Sequence, residues 1–231
     1  MEKETKKKPV KQTKTIKKEV YKAPKEKKDD KDVLDVVYIL DRSGSMSDVT
    51  EDTIKGYNSY IEGQLKNKVK LTTILFDDFY EVRTFRKDIK KVEKLTDKTY
   101  YTRGCTALYD AIGKTIADIS KEKPNKVLFI INTDGLENAS REYDKEKVRK
   151  LITSHKKWEF MYIGANIDSY AEASSIGIKR ENTANYKKDK KGTAILYDTL
   201  GSATQIMCCK ARVNKSWKKS LEDYLEENKE D

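Results

Sequence analysis

Three unbroken apolar runs constrain this chain most: VVYIL at 36–40, VLFII at 127–131 and FMYI at 160–163. Each is too short for an amphipathic helix and is rich in β-branched and aromatic residues. Apolar residues on successive rather than alternate positions suit strands buried on both faces. Such a sheet needs helices on either side, and the intervening segments supply them. Ile54, Tyr57, Ile61 and Leu65 fall at helical spacing within Thr50–Lys66. Leu108, Ile112, Ile116 and Ile119 mark a helix that stops before Pro124, and Val148, Leu151 and Ile152 another. A short helix around Tyr170–Ser175 ends at Gly177, and Ile195 to Met207 carry a last amphipathic pattern.

Strands are thus expected at Asp35–Leu40, Val69–Phe76, Lys126–Asn132 and Trp158–Ile163. Asp77-Asp78 reads as a tight turn and Phe79–Phe85 as a strand returning antiparallel at the sheet edge. The alternation predicts an α/β fold: a doubly wound, mostly parallel central sheet with one antiparallel edge strand and helices on both faces.

Residues 1–32 differ from the rest. They hold 13 Lys and 7 acids, a net +6 of the chain's +10, and almost no apolar side chains. Such a stretch cannot bury enough surface to offset its ordering entropy, so it reads as a disordered tail. The domain is expected over 33–213, with 214–231 as a charged C-terminal tail or helix. No apolar run approaches the ~20 residues of a membrane span, and MEKETKKKPVKQ lacks the apolar core of a secretory signal. Three cysteines (Cys105, Cys208 and the adjacent Cys209) do not make a disulfide framework and point to a reducing, cytoplasmic setting.

In open parallel sheets, ligands bind beyond the carboxyl ends of the strands. The first strand ends there in DRSGSMS, which presents Asp41, Ser43 and Ser45 in one tight loop with Gly44 to allow the turn. A carboxylate and two hydroxyls are hard oxygen ligands, suited to Mg²⁺, Mn²⁺ or Ca²⁺ rather than zinc. Asp134 follows the strand ending IIN, and Thr106 precedes the Leu108 helix in RGCTALYDAI. Both are placed to extend the ligand set.

Together, DRSGSMS, RGCTALYDAIGKTI and IINTDGLEN resemble a von Willebrand factor type A (vWA) domain with its metal-ion-dependent adhesion site. TDGLENAS and the IGAN segment at 163–166 are similar to uncharacterised intracellular bacterial or phage members. The resemblance implies that Ser43, Ser45 and Thr106 bind the metal directly, and Asp41 and Asp134 directly or through water. It also implies one open coordination position, completed by an Asp or Glu of a protein partner. Mg²⁺ is the expected ion, or Mn²⁺, ahead of Ca²⁺. The function so implied is a metal-dependent protein-binding adaptor or assembly module, not an enzyme.

Two other readings stand beside it. A metal-dependent hydrolase at the same ion needs a general base, and Glu137 is the nearby candidate. A nucleic-acid-associated protein would act through the lysines of residues 1–32; a solubilising tail explains those lysines as well, since acids interrupt them. Glu137 and Asn138 are either rim residues contacting a partner or solvated loop residues. Asp48 is either a rim acid or an N-terminal acid facing a helix dipole. His155, the single histidine, falls near the end of the Val148–Ile152 helix, where a cation is favourable.

Overall fold

The computed structural model describes residues 32–165, 168–210 and 212–229. The Lys-rich segment at 1–31 and Asn166 of IGAN lie outside the described residues. Six strands form one sheet: β1 (Leu34–Asp41), β2 (Val69–Phe76), β3 (Tyr80–Asp88), β4 (Val127–Thr133), β5 (Glu159–Gly164) and β6 (Thr183–Asn185), in the order β3-β2-β1-β4-β5-β6. Every adjacent pair is parallel except β2 with β3. The sheet is therefore mostly parallel with an antiparallel edge, as the runs and the turn at Asp77-Asp78 imply.

β1 shows why its sequence does not alternate. All eight of its residues are buried. Leu34, Val36, Tyr38 and Leu40 enter one core; Val37 and Ile39 enter the other. The first core is closed by α1 (Thr50–Gln64), α5 (Lys190–Cys209) and α6 (Lys219–Glu227), through Tyr57, Tyr60, Leu196, Leu200 and Leu221. The second is closed by α2 (Leu108–Lys121), α3 (Lys145–Ser154) and α4 (Ser169–Ser175), through Ile112, Ile116, Val148, Ile152 and Ala173. Burying apolar area on both sides supplies the main driving force for the central strand.

The structure adds detail that periodicity does not carry. β3 begins at Tyr80 and runs to Asp88, so Phe79 belongs to the turn and is exposed. The β2–β3 ladder is irregular between Leu71 and Ile74. There Arg86 takes a positive φ of 42° and its N–H donates to Thr72 Oγ1 at 2.9 Å. The three-residue strand β6 falls just before what reads in sequence as a Lys-rich loop. The segment after Asn214 contributes α6, and Trp217 and Leu221 pack into the core beside α5. Among the described residues, no helix is long and apolar enough to cross a membrane.

β1 and β4 are neighbours, and the chain runs outward from them in opposite directions, to β2 and β3 on one side and to β5 and β6 on the other. This is the topological switch point, where the loops at the carboxyl ends diverge and leave a crevice. Asp41 ends β1 and Thr133 ends β4.

Candidate metal centre

Asp41 sits at the base of that crevice, fully buried. Its Oδ1 accepts from Ser43 N–H at 2.7 Å and its Oδ2 from the Thr133 hydroxyl at 2.5 Å. The Tyr100 hydroxyl donates to its backbone carbonyl at 2.7 Å. Among the described residues, the carboxylate is thus aimed by neutral donors only. Burial pushes its pKa up to about 6, and the bonds from Thr133 and Ser43 recover only part of that shift.

After Asp41 the loop turns into a 3-10 segment, Gly44–Val49, that leads directly into α1. This winding brings Ser43 Oγ within 3.0 Å of Ser45 Oγ. The Ser45 hydroxyl then donates to Asp134 Oδ1 at 2.6 Å, across 89 residues of sequence. Thr106 completes the group from a third loop. A Cβ on Gly135 would lie 2.9 Å from Thr106 Oγ1 and 3.6 Å from Ser45 Oγ, so both hydroxyls face the bare glycine backbone. Only glycine leaves that space open. The structure therefore gathers all five predicted metal-site residues in one place, with Ser45 exposed at its mouth.

The other predicted residues have different placements. Glu137 does not face the oxygen cluster. Its carboxylate accepts from Tyr109 N, Ala139 N, Ser140 N and the Ser140 hydroxyl, at 2.6–2.9 Å. It staples the TDGLENAS loop to the start of α2. Asn138 clamps Thr106: its Oδ1 accepts from Thr106 N–H at 2.8 Å, and its own N–H donates to the Thr106 carbonyl at 3.0 Å. Asp48, just before α1, is exposed, with Lys188 Nζ 3.6 Å from its Oδ2. His155 closes α3. Its Nδ1 donates to the Leu151 carbonyl at 2.7 Å, and its Nε2 lies 2.9 Å from Ser120 Oγ. A cavity of ≈ 520 Å³ beside His155 and Trp158 reaches Glu159, the first residue of β5, and so lies at the end of that strand away from the candidate metal centre.

Two groups that shape the site are not evident from the sequence. Arg42 lies inside the DRSGS motif yet points away from the oxygens and is buried. Its Nε donates to Asp77 Oδ2 at 2.9 Å and its Nη1 to Glu81 at 2.7 Å. Arg103 shares the same Asp77 oxygen at 2.7 Å. Asp78 Oδ2 accepts from Cys105 N–H at 3.1 Å, and it packs so close to Gly104 (φ 65°) that a Cβ there would clash at 2.0 Å. The paired acids of the β2–β3 turn thus position the loop that delivers Thr106. The second group is Lys188, between β6 and α5. Its ammonium lies 2.9 Å from Asp134 Oδ2 and donates to the Ser45 carbonyl.

The donor set is two carboxylates and three hydroxyls, all hard oxygens. Among the described residues no group of three or more His, Cys, Asp and Glu clusters together. The residues present fit a small hard cation such as Mg²⁺ or Mn²⁺. Asp41, Ser43, Ser45, Thr106 and Asp134 would hold it.

A sheet in this strand order, with an oxygen cluster at its switch point, defines a vWA-like α/β fold, and solved structures agree. The vWF domain of the type V pili tip protein Mfa5 from Porphyromonas gingivalis superposes with a TM-score of 0.59 at 10% identity, covering 78% of this chain and 98% of that one. A von Willebrand factor type A protein from Catenulispora acidiphila gives 0.55 at 14% identity, over 74% of this chain and 42% of that one. Proximal thread matrix protein 1 from the mussel byssus gives 0.56 at 14% identity over 76% of this chain, which spans 46% of the mussel protein. No protein-family profile and no curated protein sequence matches the chain.

Proposed function

We propose that the chain is a protein-binding module whose contact runs through a divalent ion, Mg²⁺ or Mn²⁺, held at the switch point. The observation that supports this most is the convergence of Ser43, Ser45 and Asp134 within hydrogen-bonding distance, with Thr106 facing them over Gly135. Domains of this fold commonly bind protein ligands. When bound, the ion supplies a positive centre with few charged ligands around it, to which an Asp or Glu of a partner can add a charge-assisted bond.

The surroundings suit a protein partner. Phe79, Tyr101 and Leu136 are exposed, and each comes from a loop that builds the site. The Arg103 guanidinium lies over both aromatic rings, 5.4 Å from that of Phe79 and 5.3 Å from that of Tyr101. Apolar and aromatic groups around a polar centre match the usual makeup of an interface. The hydrolase reading has less support, because Glu137 spends its carboxylate on four hydrogen bonds, three within its own loop and one from Tyr109 N at the start of α2. We place the protein in a reducing compartment, where the exposed thiols of Cys105 and Cys209 persist.

The test combines metal binding with partner capture. Mn²⁺ binding by electron paramagnetic resonance should weaken at least about tenfold in Ser43→Ala and in Ser45→Ala, since each removes a ligand. Circular dichroism should show both folded. Proteins retained from lysate in Mg²⁺ should be lost in EDTA and with either variant. Wild-type affinity in both variants means that the ion, if bound, sits elsewhere.

A further inference from the structure

Lys188 carries an inference that the metal-site motif does not. Its loop is fixed at both ends. Tyr186 is buried, and its N–H donates to the Gly164 carbonyl of β5 at 3.0 Å. Asp189 caps α5 by accepting from Gly192 N–H at 2.6 Å. Between these anchors the Lys188 side chain runs inward until it is only 9% exposed. Its ammonium meets Asp134 Oδ2 at 2.9 Å, the Ser45 carbonyl, and Asp48 Oδ2 at 3.6 Å. Two of those three oxygens belong to residues of the candidate metal centre.

We infer that Lys188 is an internal competitor for the divalent ion, a latch that neutralises Asp134 when no ion is present and must swing out when one binds. This rests on the metal-site reading above. A cation among the hydroxyls of Ser43, Ser45 and Thr106 and an ammonium on the same Asp134 carboxylate are like charges at close range in a partly buried site. Their repulsion is far stronger there than in water. The ammonium is carried on a flexible four-carbon stem, so it leaves by rotation while the anchored backbone stays in place. Asp48 offers it a carboxylate at the rim.

The latch sets affinity without changing a ligand. The apparent dissociation constant is the intrinsic one divided by the open fraction, so a site latched about nine-tenths of the time binds about tenfold more weakly. Removing the ammonium also leaves Asp134 free to favour any other cation.

The test is calorimetric titration of the full chain with MnCl₂, comparing wild type with Lys188→Gln and Lys188→Met. Both variants should bind at least about tenfold more tightly. Binding by the variants alone supports the latch in its strongest form. Equal affinity in all three overturns the latch and leaves the metal reading intact. Binding in none overturns both. A second readout uses the wild type without substitution: acetylation by an N-hydroxysuccinimide ester, followed at Lys188 by peptide mass spectrometry. Lys188 should react more slowly than exposed Lys150 in EDTA and accelerate several-fold in saturating Mg²⁺. An unchanged rate overturns the latch.

Discussion

Asp35 and Asp41 stand at opposite ends of one strand, and both are buried. Their surroundings are opposite in kind. Asp35, at the amino end, is gripped by Arg86 through both oxygens, Nε to Oδ1 at 2.6 Å and Nη2 to Oδ2 at 3.1 Å. Arg86 in turn reaches Glu122 at 3.0 Å. Asp41, at the carboxyl end, receives only an N–H and a hydroxyl. The Lys188 ammonium contacts its neighbour Asp134 instead. One end is an ion cluster in which the buried carboxylate is paired with a guanidinium. Among the described residues, no cation pairs with the carboxylate at the other end. A strand that only had to fold would not need the second arrangement, and the proposed binding role at the carboxyl end accounts for that asymmetry.

The largest effect should come from breaking the paired end. Arg86→Met takes the bidentate guanidinium away from buried Asp35 and should cost about 3 kcal/mol in urea unfolding, because the Arg86 side chain is only 12% exposed. The folded fraction should still bind Mn²⁺ normally. At the other end the order reverses. Asp41→Asn should cost less than about 1 kcal/mol in EDTA, since it removes a buried charge and keeps the side chain's shape. The Thr133 hydroxyl, already 3.1 Å from the Gly135 carbonyl, can then donate there. Wild type should gain about 2.7 kcal/mol at a Mg²⁺ concentration one hundred times its Kd, and the variant nothing. A stability loss in EDTA as large as that of Arg86→Met would erase the contrast.

Asp110 sharpens the comparison from within the site end. Burial raises its pKa, but N–H groups of Tyr143, Arg141 and Glu142 outweigh that, with help from Lys114, and hold it below the ordinary carboxylate value. Asp110→Ala should cost about 1 to 2 kcal/mol at pH 7. A group held low in the fold contributes fully above its unfolded pKa and loses that contribution as pH falls through the folded one. The gap between wild type and variant should therefore persist at pH 5 and shrink below about pH 4. Asp48→Asn should have the smallest effect. Asp48 is exposed and only a 3.6 Å contact links it to Lys188, so the pair is worth no more than about 0.5 kcal/mol, and Mn²⁺ affinity should move less than about threefold.

How much of this is legible in sequence follows from the range of each interaction. The buried strands are local: an unbroken apolar run records burial on both faces without reference to any partner. The five candidate metal-site residues are nearly as legible, because each lies at a strand end or helix start where the architecture places binding loops. Arg42, Glu137 and Asn138 are less so. Their types fit an exposed polar rim, yet each turns to a partner in its own or a neighbouring loop, and that choice is tertiary. Lys188 is the extreme case. It stands among Lys187, Lys190 and Lys191 with nothing in the sequence to single it out. Its partner Ser45 lies 143 residues away. The strand β6 that aims it is three residues of Thr, Ala and Asn, too short to leave a pattern.

The position of Asp41 has a mechanical consequence. It ends an interior strand whose eight residues are in register with parallel β2 and of which six are in register with parallel β4. A partner tugging on an ion at Asp41 would load that strand along its axis. The two flanking ladders would then resist in shear, many hydrogen bonds at once, instead of parting singly as they do when an edge strand is peeled away. The same pull on a residue of β3 or β6 would find a neighbour on one side only. An attachment point at the tip of β1 therefore sits where the sheet is best braced against tension.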